Sequence, residues 1–229
     1  RAAGEGGAGE DDRVCTLVSK LTAQGCSTEF DGYDQLALDE TRGSLMIKDG
    51  QEVKEASKGD EVTLIFNSTP FYAFSGGQAG DAGEIHFPAG LVDVYDVQKA
   101  PGTNVFLHLG VVTEGVIKAE EKARLEVDGS HRLATARNHS ATHLLHKALR
   151  AVLGDHVRQA GSLVTADRLR FDFTNPTAVG QENIEKLEKM VNESIRSDYQ
   201  QSTEVMSMDE ATRSGAVALF EERYGETAR

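Results

Sequence analysis

The apolar residues change their rhythm once along this chain, near Ser130. From Thr28 to about Asp128 they come in short alternating or continuous runs: LALDET, GSLMIKDG, VTLIFNS, GEIHF, LVDVYDVQK, VFLHLG and ARLEVDG, broken by Gly, Asp, Asn and Pro. Runs of this kind are strands between turns, and many of them in succession predict a small β-barrel-like or sandwich module over residues 28–128. Beyond Ser130 the spacing lengthens to three and four. HRLATARNHSATHLLHKALRAVLG places Leu133, Ala136, His139/Ser140, His143/Leu144 and Lys147/Ala148 along one helical stripe, with Gly154 as its stop. VRQAGSLVT and RLRFDF read as two strands joined by the turn ADR. A second amphipathic helix follows, with Ile184, Leu187, Val191 and Ile195 on one face, then a strand at STEVMSM and a last helix capped by Asp209. Residues 129–229 are therefore expected to form an α+β domain with helices packed on an antiparallel sheet, and the chain as a whole is α+β.

The first residues, RAAGEGGAGEDD, are small, Gly-rich and acidic, so residues 1–27 are expected to be a disordered or linker-like lead-in. No apolar run approaches the about 18–20 residues of a membrane span, and no basic-then-apolar leader is present; no membrane partner is expected. Cys15 and Cys26 are too few for a disulfide framework, which predicts reduced thiols in a reducing compartment, cytoplasmic or organellar rather than secreted. A formal net charge of −13 disfavours indiscriminate nucleic-acid binding. Charge is uneven, however: from His131 to Arg170 there are seven basic residues against two acidic ones. A solvated helix face accounts for part of that excess; a nucleic acid received at one place and in one orientation accounts for it too.

Two groups of residues could carry chemistry. His139 and His143 are four apart on the predicted helix, which puts both imidazoles on one face within reach of one metal ion; His146 lies three further on. The spacing alone describes two polar helix residues near a surface equally well. Ser140 stands where a zincin protease needs Glu, which excludes that class. The second group is FYAFSGGQAGDAG, Phe71 to Gly83, whose glycines permit tight turns and close approach of backbone to a ligand. It lacks the setting and the Lys-Ser/Thr ending of a P-loop, so a phosphate cradle is not expected.

RNHSATHLLHKALR followed by HVRQAGSLVTADRLRFDF resembles the editing domain shared by alanyl-tRNA synthetases and the free-standing alanyl-tRNA trans-editing proteins. TPFYAFSGGQAGDAGEI is similar to the glycine motif that precedes it in that family, and GAVALFEERYGETAR to the segment leading into its last zinc-ligand motif. The resemblance runs from about Thr28 to Arg229 and is nearer to the full-length synthetase than to the free-standing editors. It implies hydrolysis of the aminoacyl ester of alanine tRNA mischarged with serine or glycine, substrates that a synthetic pocket for alanine rejects poorly. It also implies zinc held by His139 and His143 together with a Cys-x-x-x-His motif. Thr142 would sense the substrate side chain, with Gln159 and Gly161 lining the pocket. Gly76, Gly77 and Gln78 would face the substrate, and Arg168 and Arg170 would lie near the acceptor end of the tRNA.

The expected partners are alanine-specific tRNA and the rest of a parent synthetase or a larger RNA–protein assembly. ATP and Mg belong to an aminoacylation core that this chain does not contain. Two departures stand out: Phe74 occupies a position where the family usually has Glu, and the chain ends ahead of the expected Cys-x-x-x-His stretch. Zinc binding by this chain is accordingly expected to be weak. The competing expectation is a descendant that no longer catalyses and serves as an RNA-binding or structural subunit.

Overall fold

The computed structural model describes residues 7–200, 202, 204–214 and 227–228. The chain comprises two compact units, residues 1–139 with 162–170 and residues 140–161 with 171–229.

The first unit is built on a barrel of six antiparallel strands: β1 (Ala37–Lys48), β2 (Glu61–Phe66), β3 (Gly83–Phe87), β4 (Gly90–Lys99), β5 (Phe106–Lys118) and β6 (Lys122–Val127). The order is β6-β3-β4-β5-β2-β1, and pairing of β6 with β1 closes it, leaving none of the six as an open edge. The predicted runs LALDET and GSLMIKDG form one twelve-residue strand, not two. Gly43 does not end that strand. It marks the corner where β1 exchanges neighbours, pairing with β6 through Ala37–Arg42 and with β2 from Gly43 onward, with register shifts on both sides.

Period-two alternation sends one set of side chains inward. Met46, Leu64, Phe66, Ile85, Val92, Val94, Val112 and Leu125 form the barrel core. The opposite face of β1 and β2 presents Leu45, Ile47 and Ile65, which pack with Val105, Ala100 and Val18. Val18 belongs to α1 (Gly7–Ala23), a seventeen-residue helix where a disordered lead-in is expected. Val14, Leu17, Val18 and Leu21 lie at i, i+3, i+4 and i+7, and this stripe covers the outer apolar face of the barrel. The acidic, Gly-rich composition of the first twelve residues hides that pattern.

α2 (Gly129–Leu153) follows the barrel directly. Asp128 caps it, accepting the backbone N–H groups of Ser130 and His131 at 2.9 and 3.0 Å. Gly154, at φ +114°, follows its last residue. β7 (Gln159–Val164) and β8 (Leu169–Phe173) form the expected hairpin.

In the second unit, Leu145, Ala148 and Leu149 of α2 pack with Val157, Phe171, Phe173 and α3 (Gln181–Arg196). The buried face of α3 is Leu187 with Met190 and Val191; Ile184 and Ile195, expected on that face, are 40% and 54% exposed. The predicted strand STEVMSM reduces to the pair Met206–Ser207. α4 (Met208–Arg213) is capped by Ser207 rather than by Asp209: Ser207 Oγ accepts the Glu210 N–H, while the Glu210 carboxylate accepts the Ser207 N–H, a reciprocal capping box. Residues 215–226, the remainder of the predicted last helix, lie outside the described residues. No described helix is long and apolar enough to cross a membrane.

Candidate functional site

The glycine loop is shaped from both sides. Ser75 and Gln78 exchange backbone hydrogen bonds across Gly76 and Gly77, whose φ values of +60° and +85° give the turn its two left-handed central residues. Val164 of β7 holds one flank: its N–H donates to Gly77 O at 2.8 Å, and its carbonyl accepts Ala79 N–H at 2.9 Å. Gly77 lies so close to β7 that an added Cβ would fall 2.4 Å from Ser162 O. On the other flank Phe74 N–H donates to Val97 O of β4 at 2.7 Å. Ser162 and Val164 belong to the same unit as the barrel, so this part of the hairpin returns to the glycine loop.

Pinning the backbone sets the direction of the Gln78 side chain. His139 Nδ1 lies 2.6 Å from Gln78 Oε1. An amide oxygen only accepts, so the ring donates this bond from a protonated Nδ1. Asn138, the preceding residue, donates from Nδ2 to the carbonyls of Thr165 and Ala166 at 2.8 and 3.1 Å, fastening α2 to the turn of the hairpin.

The start of α2 is held by charge. Arg132 donates to both carboxylate oxygens of Asp81 and to the carbonyls of Gly32 and Pro70. Asp81 is 2% exposed and also accepts the Tyr72 N–H at 2.6 Å. A hollow of about 480 Å³ opens here, walled by Phe30, Tyr33, Leu36 and Tyr72, with Asp34, Gln35, Gln78, Arg132 and His139 as its polar lining. Inside the barrel, His108 is fully buried between the rings of Phe66 and Phe71. Its Nδ1–H donates to Leu64 O, its Nε2 lies 2.7 Å from Thr69 Oγ1, and burial pushes its pKa down to about 4.

Of the residues singled out from the sequence, Gly76, Gly77, Gln78 and His139 come together in the first unit. Gln78, expected to face the substrate, meets His139 and lines the hollow beside it. Arg168 closes the hairpin turn with its backbone, exchanging bonds with Thr165, and both Arg168 and Arg170 are exposed. Thr142, His143, Gln159 and Gly161 belong to the second unit, where His143 is exposed and Thr142 is 6% exposed. An added Cβ on Gly161 would come within 3.1 Å of Asp172 Oδ2. His146 is 9% exposed and packs on the Phe171 ring at 5.1 Å; burial lowers its pKa, which makes it a core histidine. Among the described residues no three His, Cys, Asp or Glu side chains converge as a metal group. The donor chemistry of His139 nonetheless suits a metal ligand, since an Nδ1–H bonded to an amide oxygen is the outer-shell arrangement that aims Nε2 at a metal.

Asn138, Asp81 and Arg132 were not anticipated as a group. Each sits beside a recognised motif residue, yet nothing in the local pattern pairs residues 51 positions apart.

With this geometry in hand, the comparisons with known proteins are specific. The model of the family of tRNA synthetases class II (A) matches residues 4–131, more than half of the chain. The chain belongs to that family. Within it, the chain is an alanyl-tRNA synthetase-like region: it is 46% identical to the alanine–tRNA ligase of Psychrobacter sp. over 202 residues, covering 88% of this chain and 22% of that protein. The alanine–tRNA ligase of Acetivibrio thermocellus is 46% identical over 225 residues, 98% of this chain and 25% of that protein. That of Thermus thermophilus is 46% identical over 213 residues, 93% and 24%. The chain thus spans about a quarter of the length of the curated relatives it matches.

Proposed function

We propose that this chain is the editing region of an alanyl-tRNA synthetase and takes part in hydrolysing the ester that joins serine or glycine to the tRNA for alanine. The observation that carries the reading is the Gln78–His139 bond. A loop with two left-handed glycines, backed onto β7, delivers an amide oxygen to the histidine that begins the His-x-x-x-His stretch. That bond orients the ring beside an aromatic hollow large enough for a nucleoside-sized group. Hydrolysis adds water across the acyl–oxygen bond and returns the free amino acid and a ribose hydroxyl.

In this reading His139 and His143 would be two of the ligands of a zinc ion, which would supply a Lewis acid for the ester carbonyl or a water. Gln78 orients His139 from the wall of the same hollow. Gly76 and Gly77 let the loop backbone approach the aminoacyl group. Thr142 senses the substrate side chain, with Gln159 and Gly161 of the same unit as pocket residues, and the exposed Arg168 and Arg170 meet the phosphates of the acceptor end. The parent protein would ligate alanine to its tRNA elsewhere in its length.

Deacylation tests this. Seryl-, glycyl- and alanyl-tRNA for alanine are incubated with the full reading frame that carries this chain and with its His139→Ala variant. Release of serine and glycine well ahead of alanine, abolished in the variant, is the expected result. Loss of all three esters at the rate of buffer alone refutes the proposal.

A further inference from the structure

Phe74 stands in the glycine loop with 49% of its surface exposed, and Tyr33, across from the same depression, is 62% exposed. The hollow they border has a volume of about 430 Å³ and is lined further by Phe30, Tyr72, Phe106 and Lys99, with the exposed Glu29 at its edge. Phe30 is its hub, with ring centroids 5.0 Å from Tyr33, 6.0 Å from Tyr72 and 5.9 Å from Phe106. The Lys99 ammonium lies 5.8 Å from the centroid of Phe106, and the exposed Asn104 completes the rim. This hollow adjoins the one that contains His139, because Phe30, Tyr33 and Tyr72 line both.

We infer that this second hollow seats the unpaired terminal base of the tRNA 3′ end, stacked against Phe74 and Tyr33. The inference rests on the editing reading of the His139 hollow. A terminal ester placed beside His139 carries its ribose and base with it, and one nucleotide's reach leads into the adjoining hollow. Aromatic faces left open to water are what an unstacked base covers, since every base has a flat apolar face. Asn104 offers a donor and an acceptor to the base edge, and Lys99 offers a cation to the neighbouring phosphate. The volume is that of a small-molecule site, within the range of roughly 300–1,000 Å³, rather than of a protein interface. Phe74 thereby acquires a role: its ring adds stacking area.

The test uses the 229-residue chain and two ribo-oligonucleotides, ACCA and the same oligomer ending in an abasic ribose, titrated while the ring proton resonances of Phe74 and Tyr33 are followed. ACCA should shift both rings and bind about tenfold or more tightly than the abasic oligomer, on the scale of one base stacked on an aromatic ring. Phe74→Ala should weaken ACCA by a similar factor without altering the thermal midpoint, and Phe74→Tyr should restore it. Equal binding of the two oligomers, indifference to Phe74→Ala, or no binding at millimolar ACCA overturns the inference. The deacylation assay separates the two proposals. Ester hydrolysis with base-indifferent binding removes only the base seat, and base-dependent binding without hydrolysis removes only the editing reading.

Discussion

Changing Arg132 to Met strips a guanidinium from both Asp81 oxygens and from the carbonyls of Gly32 and Pro70 in one step. What remains is a carboxylate 2% exposed, with the Tyr72 N–H still donating to it. Removing one partner of a buried ion pair costs about 3–5 kcal/mol, because the survivor keeps its charge without its counter-charge. An exposed pair such as Lys122–Glu40, whose side chains are 63% and 75% exposed, is worth about 1 kcal/mol or less. The two estimates are far enough apart for urea unfolding to decide between them. Asp81→Asn keeps an oxygen for Tyr72 and discards the charge, so adding it to Arg132→Met should recover much of the loss. The four proteins of that cycle, compared at equal m-value, give the coupling directly. A loss under about 1 kcal/mol in Arg132→Met, or a double variant equal to the sum of the singles, refutes the claim that this pair holds the turn at Gly32 and the glycine loop to α2.

Three further outcomes are expected. Gln78→Ala should let His139 revert from the Nδ1–H to the Nε2–H tautomer that imidazole prefers in water, read from ring ¹⁵N shifts; an Nε2–H ring in the unaltered protein contradicts the assignment. Gly77→Ala should destabilise the chain more than Gly76→Ala in urea. Both need a left-handed backbone, costing about 1–2 kcal/mol, but only at Gly77 would the Cβ also strike Ser162 O, whereas the space beside Gly76 is open. His108 should make stability fall with acidification: above its unfolded pKa of about 6.5 neither state binds the proton, and between there and about 4 only the unfolded chain does. The loss should reach about 3 kcal/mol by pH 4 and level off below, and His108→Gln should remove that component; an unchanged slope between pH 6.5 and 5 in the variant refutes it.

The barrel was legible because its strands are half-buried, and half-burial writes itself as alternation. Ile85–Phe87 and Val92–Val94 announce their inward face two residues at a time. The same logic fails where a segment's apolar face is narrow or interrupted. In α1 four apolar residues lie behind a run of Gly, Glu and Asp, and composition outweighs periodicity when the two are read together. In α3 the stripe of Ile184, Leu187, Val191 and Ile195 is correct as a helix signal, yet only Leu187 and Val191 of it join the core, with Met190, while Ile184 and Ile195 are exposed. The face is chosen by Phe171, Phe173 and Leu149, partners that lie elsewhere in the sequence. At α4 the local rule itself was available, since Ser207 and Glu210 spell a capping box, and Asp209 was taken for the cap in its place.

The candidate site was legible in kind and not in wiring. Glycines in a turn and a histidine on a helix each follow from short-range rules, but the bond from Gln78 to His139 spans 61 positions and depends on β7 backing the loop. A side chain acquires a role of this sort only when its backbone has nowhere else to go. Gly77 against Ser162 and Ala79 against Val164 leave Gln78 a fixed origin; Asn138 and Arg132 fix α2 in turn on either side of the histidine's approach. Six residues outside the imidazole therefore set where its Nδ1–H points, and a histidine is oriented toward a ligand or a substrate by the bond its other ring nitrogen makes.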